Sequence, residues 1–273
     1  MFKTIILTTA MLLIPVTTFA QEETPQLPEE DFGLWNYKKL LLDENGKWSV
    51  GTGALIRNSP FRGEKISAFP FPLIDYSSKN LFIREFKTGY HIKAVDDPYK
   101  GGYFLDTYLG ARMRPGDARQ KFSVDAGLRA GYQHPFGSFS LSFTQDMTGA
   151  SDGKEASAAY SFTFLSKSKK HIVIPRITVT WQDRKMANYL WGISEETTSK
   201  MIENNDAVVL APYTIDRSVV NYSAGIIHIY KLDQNWSSIL GAQLAILDEY
   251  IMDNPAIERQ FDYSFIVGAA YTF

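Results

Sequence analysis

The chain has 273 residues, of which 45% are hydrophobic and 21% are charged. This composition excludes a disordered chain and requires a large apolar surface that is either buried or given to lipid. The formal net charge is −2, which argues against a nucleic-acid partner. Since there is no cysteine, disulfides, thiolate metal sites and cysteine nucleophiles are excluded.

The first twenty residues have the three parts of a secretory signal peptide. Lys3 is followed by an apolar stretch over residues 5–16 and a small-residue exit, so cleavage is expected after Ala20. The apolar stretch is too short for the roughly 20 residues that a membrane-spanning helix needs. Residues 21–31 are acidic and contain proline, and they predict a flexible leader before a folded region at 32–273.

From about Lys47 onward, apolar and polar side chains alternate with a period of two. In residues 121–133 the even positions are apolar and the odd positions are small, polar or charged, and residues 261–273 repeat the pattern. This period indicates strands with one apolar face. Similar alternation is present at 138–146, 154–164, 171–182, 218–230 and 236–247.

Two architectures share this period: a soluble sandwich and a membrane barrel. Sandwich strands average about five or six residues, whereas tilted membrane strands need about 9–11, and several segments here reach that length. The segments also end in aromatic residues, as membrane interfaces require: Trp48, Trp181, Trp236, Tyr132, Tyr230 and Tyr271. The sequence therefore predicts an all-β, antiparallel, up-and-down transmembrane β-barrel in the outer membrane of a Gram-negative bacterium, surrounded by outer-membrane lipids and lipopolysaccharide.

The last strand resembles the C-terminal signal that the barrel assembly machinery reads. It ends in Phe273, with Tyr271 two residues and Gly268 five residues before it. An ordinary strand that happens to end in phenylalanine is the alternative interpretation.

We predict twelve strands, with ten as the alternative. Residues 66–76 contain Pro70 and Pro72, each of which removes a hydrogen-bond donor from a sheet. If this segment is a strand, residues 32–42 must supply another and the total is twelve; if it is a loop, the total is ten. The remaining connections divide into short periplasmic turns and longer extracellular loops: 231–235, 165–170 and 134–137 against 249–258, 183–217 and 147–153.

Two sets of residues are candidates for function. The inward positions of the strands include four charged residues, which either pair across the lumen and fill it or line a narrow wet path: Asp106, Arg112, Asp125 and Arg129. We predict a mostly filled interior. The longest loop, 183–217, is either functional or folded over the barrel mouth, as a plug or a receptor surface; its candidate residues are Tyr189, Trp191, Glu195 and Glu196.

A barrel phospholipase is the enzymatic alternative, and it requires a serine activated by an oriented histidine. The four histidines are His91, His134, His171 and His228, and none stands near a serine in the spacing of such enzymes. His228 is the strongest candidate, although a structural role is favoured. Adjacent acidic pairs such as Glu195 and Glu196 usually form solvated surface, so no catalytic residue, metal site or cofactor is predicted.

Several short motifs resemble the MipA/OmpV family of MltA-interacting proteins. The motifs follow one another over most of residues 47–273, and Trp191 departs from the tyrosine or phenylalanine more usual there: 49–54 (SVGTGA), 59–63 (SPFRG), 69–76 (FPFPLIDY), 127–132 (GLRAGY), 148–153 (TGASDG), 188–194 (NYLWGIS) and 235–237 (NWS).

This resemblance implies a non-enzymatic outer-membrane protein. The family's named member is regarded as a scaffold that brings a lytic murein transglycosylase together with a bifunctional penicillin-binding protein in peptidoglycan remodelling. Other members are discussed as porin-like proteins, so a small-solute channel is the second hypothesis. The motifs describe the barrel and assign no partner-binding residue.

Overall fold

The structure is a computed structural model that describes residues 46–64, 66–84, 86–95, 100–112, 122–134 and 137–273. The signal peptide, the leader and the strand expected at 32–42 lie outside the described residues, and they stay predictions.

The described strands form one closed antiparallel sheet in which each strand pairs with its sequence neighbours. The first strand, β1, pairs with the last, β13, and this pairing closes the barrel. Strands β8 and β9 both pair with β10 and are two halves of one barrel strand, so the barrel has twelve strand positions. The strands are β1 (Lys47–Arg57), β2 (Ser67–Ser77), β3 (Leu81–Arg84), β4 (Lys87–Lys93), β5 (Gly102–Arg112), β6 (Ser123–His134), β7 (Gly137–Asp146), β8 (Lys154–Ser161), β9 (Phe164–Leu165), β10 (His171–Gln182), β11 (Val219–Lys231), β12 (Trp236–Ile246) and β13 (Phe261–Thr272).

The predicted number of twelve strands is confirmed. The described barrel reaches this number with the short strand β3 and without a strand from residues 32–42. The segment that contains Pro70 and Pro72 is strand β2. Strand β3 pairs only with residues 75–77 of β2, so the prolines lie where β2 has β1 as its partner among the described pairings. A proline is tolerated here because, among the described residues, no second strand pairs with this part of β2 and needs the missing donor.

The outer face of the barrel is apolar, as the alternation predicts. In β13, Phe265 and Val267 are each 46% exposed. Ile266 and Ala270, on the opposite face of the same strand, are buried. Aromatic pairs form a rim at the end where β1 begins and β13 ends. These pairs include Trp48 with Tyr76, with ring centroids 4.8 Å apart, and Trp236 with Tyr271 at 5.3 Å.

The two ends of the barrel differ. Short turns such as 232–235 lie at the end with the aromatic rim, and the long connections lie at the other end, so we assign these ends to the periplasm and to the outside. The long connections contain helices α1 (Arg184–Trp191), α2 (Glu195–Glu203) and α3 (Glu249–Met252). No helix within the described ranges is long and apolar enough to cross a bilayer.

Candidate functional site: the filled lumen, its cap and the periplasmic rim

A buried cluster around Arg112 lies in the lumen near the extracellular end of β5. The Arg112 guanidinium group donates from Nε to Asp125 and from Nη1 to Glu155 Oε2 at 2.9 Å. Its Nη2 donates to Thr144 Oγ1 at 3.1 Å and to Glu155 Oε1 at 3.2 Å. These bonds connect β5, β6, β7 and β8, and they compensate a cation that is only 7% exposed.

Hydrogen bonds continue from this cluster to the extracellular loops. Gln182 donates from Nε2 to Glu155 at 2.8 Å, and its Oε1 accepts from Trp191 Nε1 at 3.2 Å. The same oxygen accepts from Asn221 Nδ2 at 3.3 Å, and Asn221 Oδ1 accepts from the backbone N–H of Asp248 at 2.9 Å. The lumen and the loops above it therefore form one hydrogen-bonded unit.

A second charged cluster lies closer to the periplasmic end. Arg129 donates from Nε to Asp106 Oδ2 at 2.9 Å, and His91 Nδ1 lies 2.6 Å from Asp106 Oδ1. On the neighbouring strands, Arg84 Nε lies 3.5 Å from Asp75 Oδ2. The structure thus places the four predicted lumen residues inside the barrel in two separate ion-paired clusters, Arg112 with Asp125 and Arg129 with Asp106.

Aromatic rings fill part of the lumen by lying over glycines of the next strand. Tyr108 is paired with Gly127, and Phe104 is paired with Gly131. A Cβ atom on either glycine would overlap the ring opposite it, so this close approach requires glycine. The guanidinium carbon of Arg129 lies 5.4 Å from the centre of the Phe104 ring, which adds a cation–π contact to the ion pair with Asp106.

The opposite wall of the lumen is apolar. It is built by inward side chains of β10–β13, β1 and β2, and its members are closely packed and almost inaccessible to solvent. The inward positions of β5–β8, on the other side of the lumen, carry charges instead. The barrel interior therefore has a charged half and an apolar half. The buried members are Leu55, Phe71, Leu73, Ile172, Ile174, Ile227, Ile229, Ile239, Ile266 and Ala270.

The extracellular loops fold into a cap with its own apolar core. Trp191, at the end of α1, is 3% exposed, and its ring centroid lies 6.3 Å from that of Phe61 in the loop after β1. Asn254, beyond α3, donates from Nδ2 to the Trp191 carbonyl at 2.8 Å. Loops far apart in sequence thus share one core, whose buried members are Phe61, Met186, Ala187, Tyr189, Leu190, Trp191, Ile193, Met201, Leu210, Ile215, Val219, Leu247, Ile251, Ala256 and Ile257.

The predicted extracellular loop residues have two different places in this cap. Tyr189 and Trp191 are buried in its core. Glu195 and Glu196 occupy the first turn of α2, after the N-cap Ser194, where carboxylates interact favourably with the helix dipole. The loop is therefore folded over the barrel, and any receptor role of these four residues stays a prediction.

The loop between β7 and β8 is organised by one carboxylate. Asp146 accepts from the backbone N–H groups of Thr148 at 2.8 Å, Ser151 at 2.6 Å and Asp152 at 2.9 Å. Gly153 lies so close to the backbone of Met186 in α1 that a Cβ atom would not fit. The motif at 148–153 therefore holds the cap to the barrel.

The predicted C-terminal signal lies in the strand that closes the barrel. Gly268 is paired with Gly53 of β1, and a Cβ on Gly268 would lie 2.8 Å from Leu73 Cδ1. Tyr271 belongs to the aromatic rim. The backbone N–H of Phe273 donates to the Trp48 carbonyl at 3.0 Å, and recognition of these residues by assembly machinery stays a prediction.

The described part of the periplasmic rim is basic. Along the described strand ends and turns of this face, the charged side chains are lysines, with Asp233 as the acidic one. At the extracellular end the two signs are mixed, as in the pair of Lys185 and Asp152 and that of Lys200 and Glu196. We call the following set the lysine rim: Lys47, Lys79, Lys93, Lys100, Lys167, Lys169, Lys170 and Lys231.

The histidines form no hydrolase triad in the described part of the chain. His171 Nδ1 and His228 Nε2 are 3.1 Å apart, and their rings stack with centroids 5.3 Å apart. His91 contacts Asp106, and His134 Nε2 lies 2.9 Å from the Tyr160 hydroxyl. Among the described residues, no group of three potential metal ligands is present either.

Sequence reasoning missed several lumen residues. Glu155 is an inward position of β8, and the alternation of residues 154–164 could have identified it. Lys87, Arg84 and Asp75 lie around the short hairpin of β3 and β4, whose strands are too short for a clear period. Arg176 lies one residue after Pro175 in β10, which weakens the pattern there.

Comparison with known proteins gives consistent similarities. The MltA-interacting protein of Escherichia coli K12 is 24% identical over 238 residues, covering 84% of this chain and 91% of the relative. The outer membrane protein YiaT of Escherichia coli O157:H7 is 24% identical over 237 residues, covering 82% and 90%. The chain is therefore similar to outer-membrane proteins along nearly its whole barrel.

Two solved structures overlap partially with the barrel. An outer-membrane channel of Pseudomonas putida F1 is 9% identical, with a TM-score of 0.42, and covers 91% of this chain and 100% of its own. The Ail protein of Yersinia pestis is 9% identical, with a TM-score of 0.25, and covers 84% and 99%.

Family membership is decided by the sequence profile. The profile described as MltA-interacting protein MipA matches residues 50–273, which contain all but the beginning of the described barrel. The chain is an outer-membrane β-barrel, and it belongs to the MltA-interacting protein MipA family.

Proposed function

We propose that this protein is a non-enzymatic scaffold that binds a lytic murein transglycosylase and a penicillin-binding protein at the periplasmic face of the outer membrane. The name of the relatives, MltA-interacting protein, supports the first partner, and the family resemblance supports the second. The lysine rim is the observation that carries the proposal, because it offers a predominantly basic periplasmic surface to an acidic partner.

Several features make the lysine rim suitable for docking. Lys79, Lys93, Lys100, Lys167 and Lys170 are exposed at turns and strand ends. The turn at 166–170 holds its shape through the backbone N–H of Lys169, which donates to the Ser166 carbonyl at 2.8 Å. A preorganised turn loses little conformational entropy when a partner binds.

The contents of the lumen favour this role over that of an open channel. Arg112 and its partners cross the charged half, and the apolar wall occupies the other half. The cap core lies above both. A small-solute channel would need a continuous wet path through the lumen and the cap, so we expect a conductance in planar bilayers no greater than that of bilayers without protein.

The test compares two triple variants that change charge equally at opposite ends of the barrel. The periplasmic variant carries Lys167→Glu, Lys169→Glu and Lys170→Glu; the control carries Lys154→Glu, Arg184→Glu and Lys185→Glu at the extracellular end. Binding of a purified lytic transglycosylase, and of a purified penicillin-binding protein, is measured at about 0.15 M salt. We expect binding at least about tenfold weaker for the periplasmic variant, and no change for the control.

Two results would count against the proposal. The absence of saturable binding of either enzyme to the unchanged protein would remove the scaffold role. Equal binding by both triple variants would remove the lysine rim as the docking surface.

A further inference from the structure

The lipid face of the barrel has an apolar groove on the side formed by β7, β8, β10, β11 and β12. Its volume is about 440 Å³. Most of the side chains that line it point outward, as the alternation along each strand requires. Because the outer face of an outer-membrane barrel meets hydrocarbon, the groove takes its occupant from the bilayer or from another membrane protein.

Two alanines create this groove. Ala158 of β8 is paired with Val179 of β10, and Ala224 of β11 is paired with Ile177 of β10. The other outward side chains of the lining are large aliphatic or aromatic groups, so each alanine leaves a hollow beside them. An unfilled hollow loses dispersion contacts, and in a bilayer close packing decides what binds, because hydrophobic burial supplies no driving force there. A flexible hydrocarbon chain can follow a hollow of this shape.

The groove opens toward the extracellular ends of its strands. Its upper border includes Tyr222, which is paired with Val179 on one side and with Ile246, the last residue of β12, on the other. Tyr222 is 54% exposed, and its hydroxyl group makes no hydrogen bond to another described residue. A phenolic hydroxyl at the edge of the hydrocarbon region requires a polar partner. The ester carbonyls that join acyl chains to a lipid headgroup accept hydrogen bonds at this boundary.

Two basic side chains lie above the groove. Lys154 is the outward first residue of β8, four residues from Ala158, which is about 13 Å along the strand. Arg184 is the first residue of α1, which follows β10. Both side chains are exposed, and neither forms an ion pair with a described residue. Cations above an apolar groove match an amphiphile that has an anionic headgroup.

The neighbouring cations already have acidic partners. Lys185 lies 3.7 Å from Asp152, and Arg217 lies 3.0 Å from Asp216. Arg184 also acts electrostatically on Asp216, without forming an ion pair with it. Asp152 and Asp216 are therefore engaged, and a phosphate group near Lys154 would not have to displace either carboxylate.

We propose that this groove binds one acyl chain of lipopolysaccharide, the phosphorylated glycolipid of the outer leaflet. The chain fills the hollows at Ala158 and Ala224, an ester group accepts a hydrogen bond from Tyr222, and a phosphate group lies near Lys154 and Arg184. This role is independent of the partners proposed for the lysine rim, which lies at the opposite ends of the strands.

The experiment measures binding of rough-type lipopolysaccharide to the purified, delipidated protein in detergent by native mass spectrometry over a series of lipid concentrations. Ala158→Leu with Ala224→Leu fills the groove. The control, Ala54→Leu with Ala269→Leu, enlarges two outward alanines of β1 and β13 that do not line it. We expect saturable binding to the unchanged protein and to the control, with affinity at least about tenfold weaker in the filled variant.

Two further variants test the headgroup contacts without changing the shape of the groove. Tyr222→Phe removes one hydroxyl group, and Lys154→Met removes one cation. We expect each to weaken binding of lipopolysaccharide by less than the filled variant does. Phosphatidylglycerol, which has a phosphate and acyl chains but no acylated sugar, should bind more weakly than lipopolysaccharide to the unchanged protein.

Four results would overturn the proposal. The first is the absence of saturable binding of lipopolysaccharide to the unchanged protein, and the second is equal affinity in the filled variant and the control. The third is equal affinity for phosphatidylglycerol and lipopolysaccharide. The fourth is a dimer of the unchanged protein in sedimentation equilibrium that the filled variant loses, since a second copy would then occupy the groove. If the filled variant fails to fold, unchanged affinity in both Tyr222→Phe and Lys154→Met overturns the proposal instead.

Discussion

Replacement of Arg112 by methionine tests whether the charged lumen cluster stabilises the barrel. The side chain keeps its apolar stem but loses the four hydrogen bonds to Asp125, Glu155 and Thr144. Asp125 and Glu155 are 5% and 8% exposed, so both carboxylates would remain buried without their cation. Breaking a buried pair from one side costs about 3–5 kcal/mol, and we expect this loss in the free energy of unfolding.

The assay is urea unfolding of the protein in lipid vesicles, followed by tryptophan fluorescence. Lys200→Met is the matched control, because Lys200 donates to Glu196 at 2.7 Å on the surface of α2 with both side chains more than half exposed. An exposed pair of this spacing contributes about 0.3–0.5 kcal/mol. If Arg112→Met lowers the free energy of unfolding no more than Lys200→Met, the cluster is not the stabilising element described above.

A triple variant separates the lost attraction from the buried charges left behind. Adding Asp125→Asn and Glu155→Gln to Arg112→Met removes both uncompensated carboxylates. Because neither amide carries a charge that would be buried without its cation, the triple variant should recover most of the stability. A triple variant as unstable as Arg112→Met would mean that lost packing, and not charge, dominates.

Three further outcomes are expected. Leu128→Arg, on the lipid face of β6 where Leu128 is 52% exposed, should lower the free energy of unfolding in vesicles by about 2–4 kcal/mol; a loss below about 1 kcal/mol would contradict a position in hydrocarbon. Gly127→Val should displace the Tyr108 ring that lies over this glycine and cost about 1–3 kcal/mol, measured by the same unfolding assay. Gly149→Val is the control, because a Cβ at this position, which has a positive φ of 71°, would have Asp152 Oδ1 as its nearest contact at 3.8 Å; this variant should leave Tyr108 unchanged in a crystal structure. The backbone N–H groups of Trp236 and Asn235 hold the pKa of Asp233 below its ordinary value. The stabilisation from these hydrogen bonds is therefore present above the unfolded pKa of about 3.9 and is lost as the pH falls through the lower folded pKa. The difference in urea midpoint between the unchanged protein and Asp233→Ala should shrink in acid, and a difference that stays constant with pH would refute this prediction.

The motifs that carried the family resemblance acquire a physical meaning in the structure. Phe61 and Trp191 come from two of these motifs and meet in the cap core. Gly127 and Gly131 come from a third and receive the rings of Tyr108 and Phe104. These motifs therefore describe how the lumen is filled and covered, which explains why they assigned no partner-binding residue.

The sequence by itself determined which face of each strand meets lipid. An extended chain turns successive side chains to opposite sides, so the positions of Asp125 and Arg129 on one face and Leu128 on the other follow from residue numbers alone. The long strands and aromatic ends then separated a membrane barrel from a sandwich. The same local reasoning failed at β3, because four residues are too few to establish a period.

Only the tertiary structure decided which inward side chains meet. Arg112 and Glu155 are 43 residues apart, and Phe61 reaches Trp191 through loops from different parts of the barrel. Such contacts depend on the number of strands and on their stagger around the closed sheet. Neither quantity is a local property of the chain, so the lumen clusters and the cap core form only when the barrel closes.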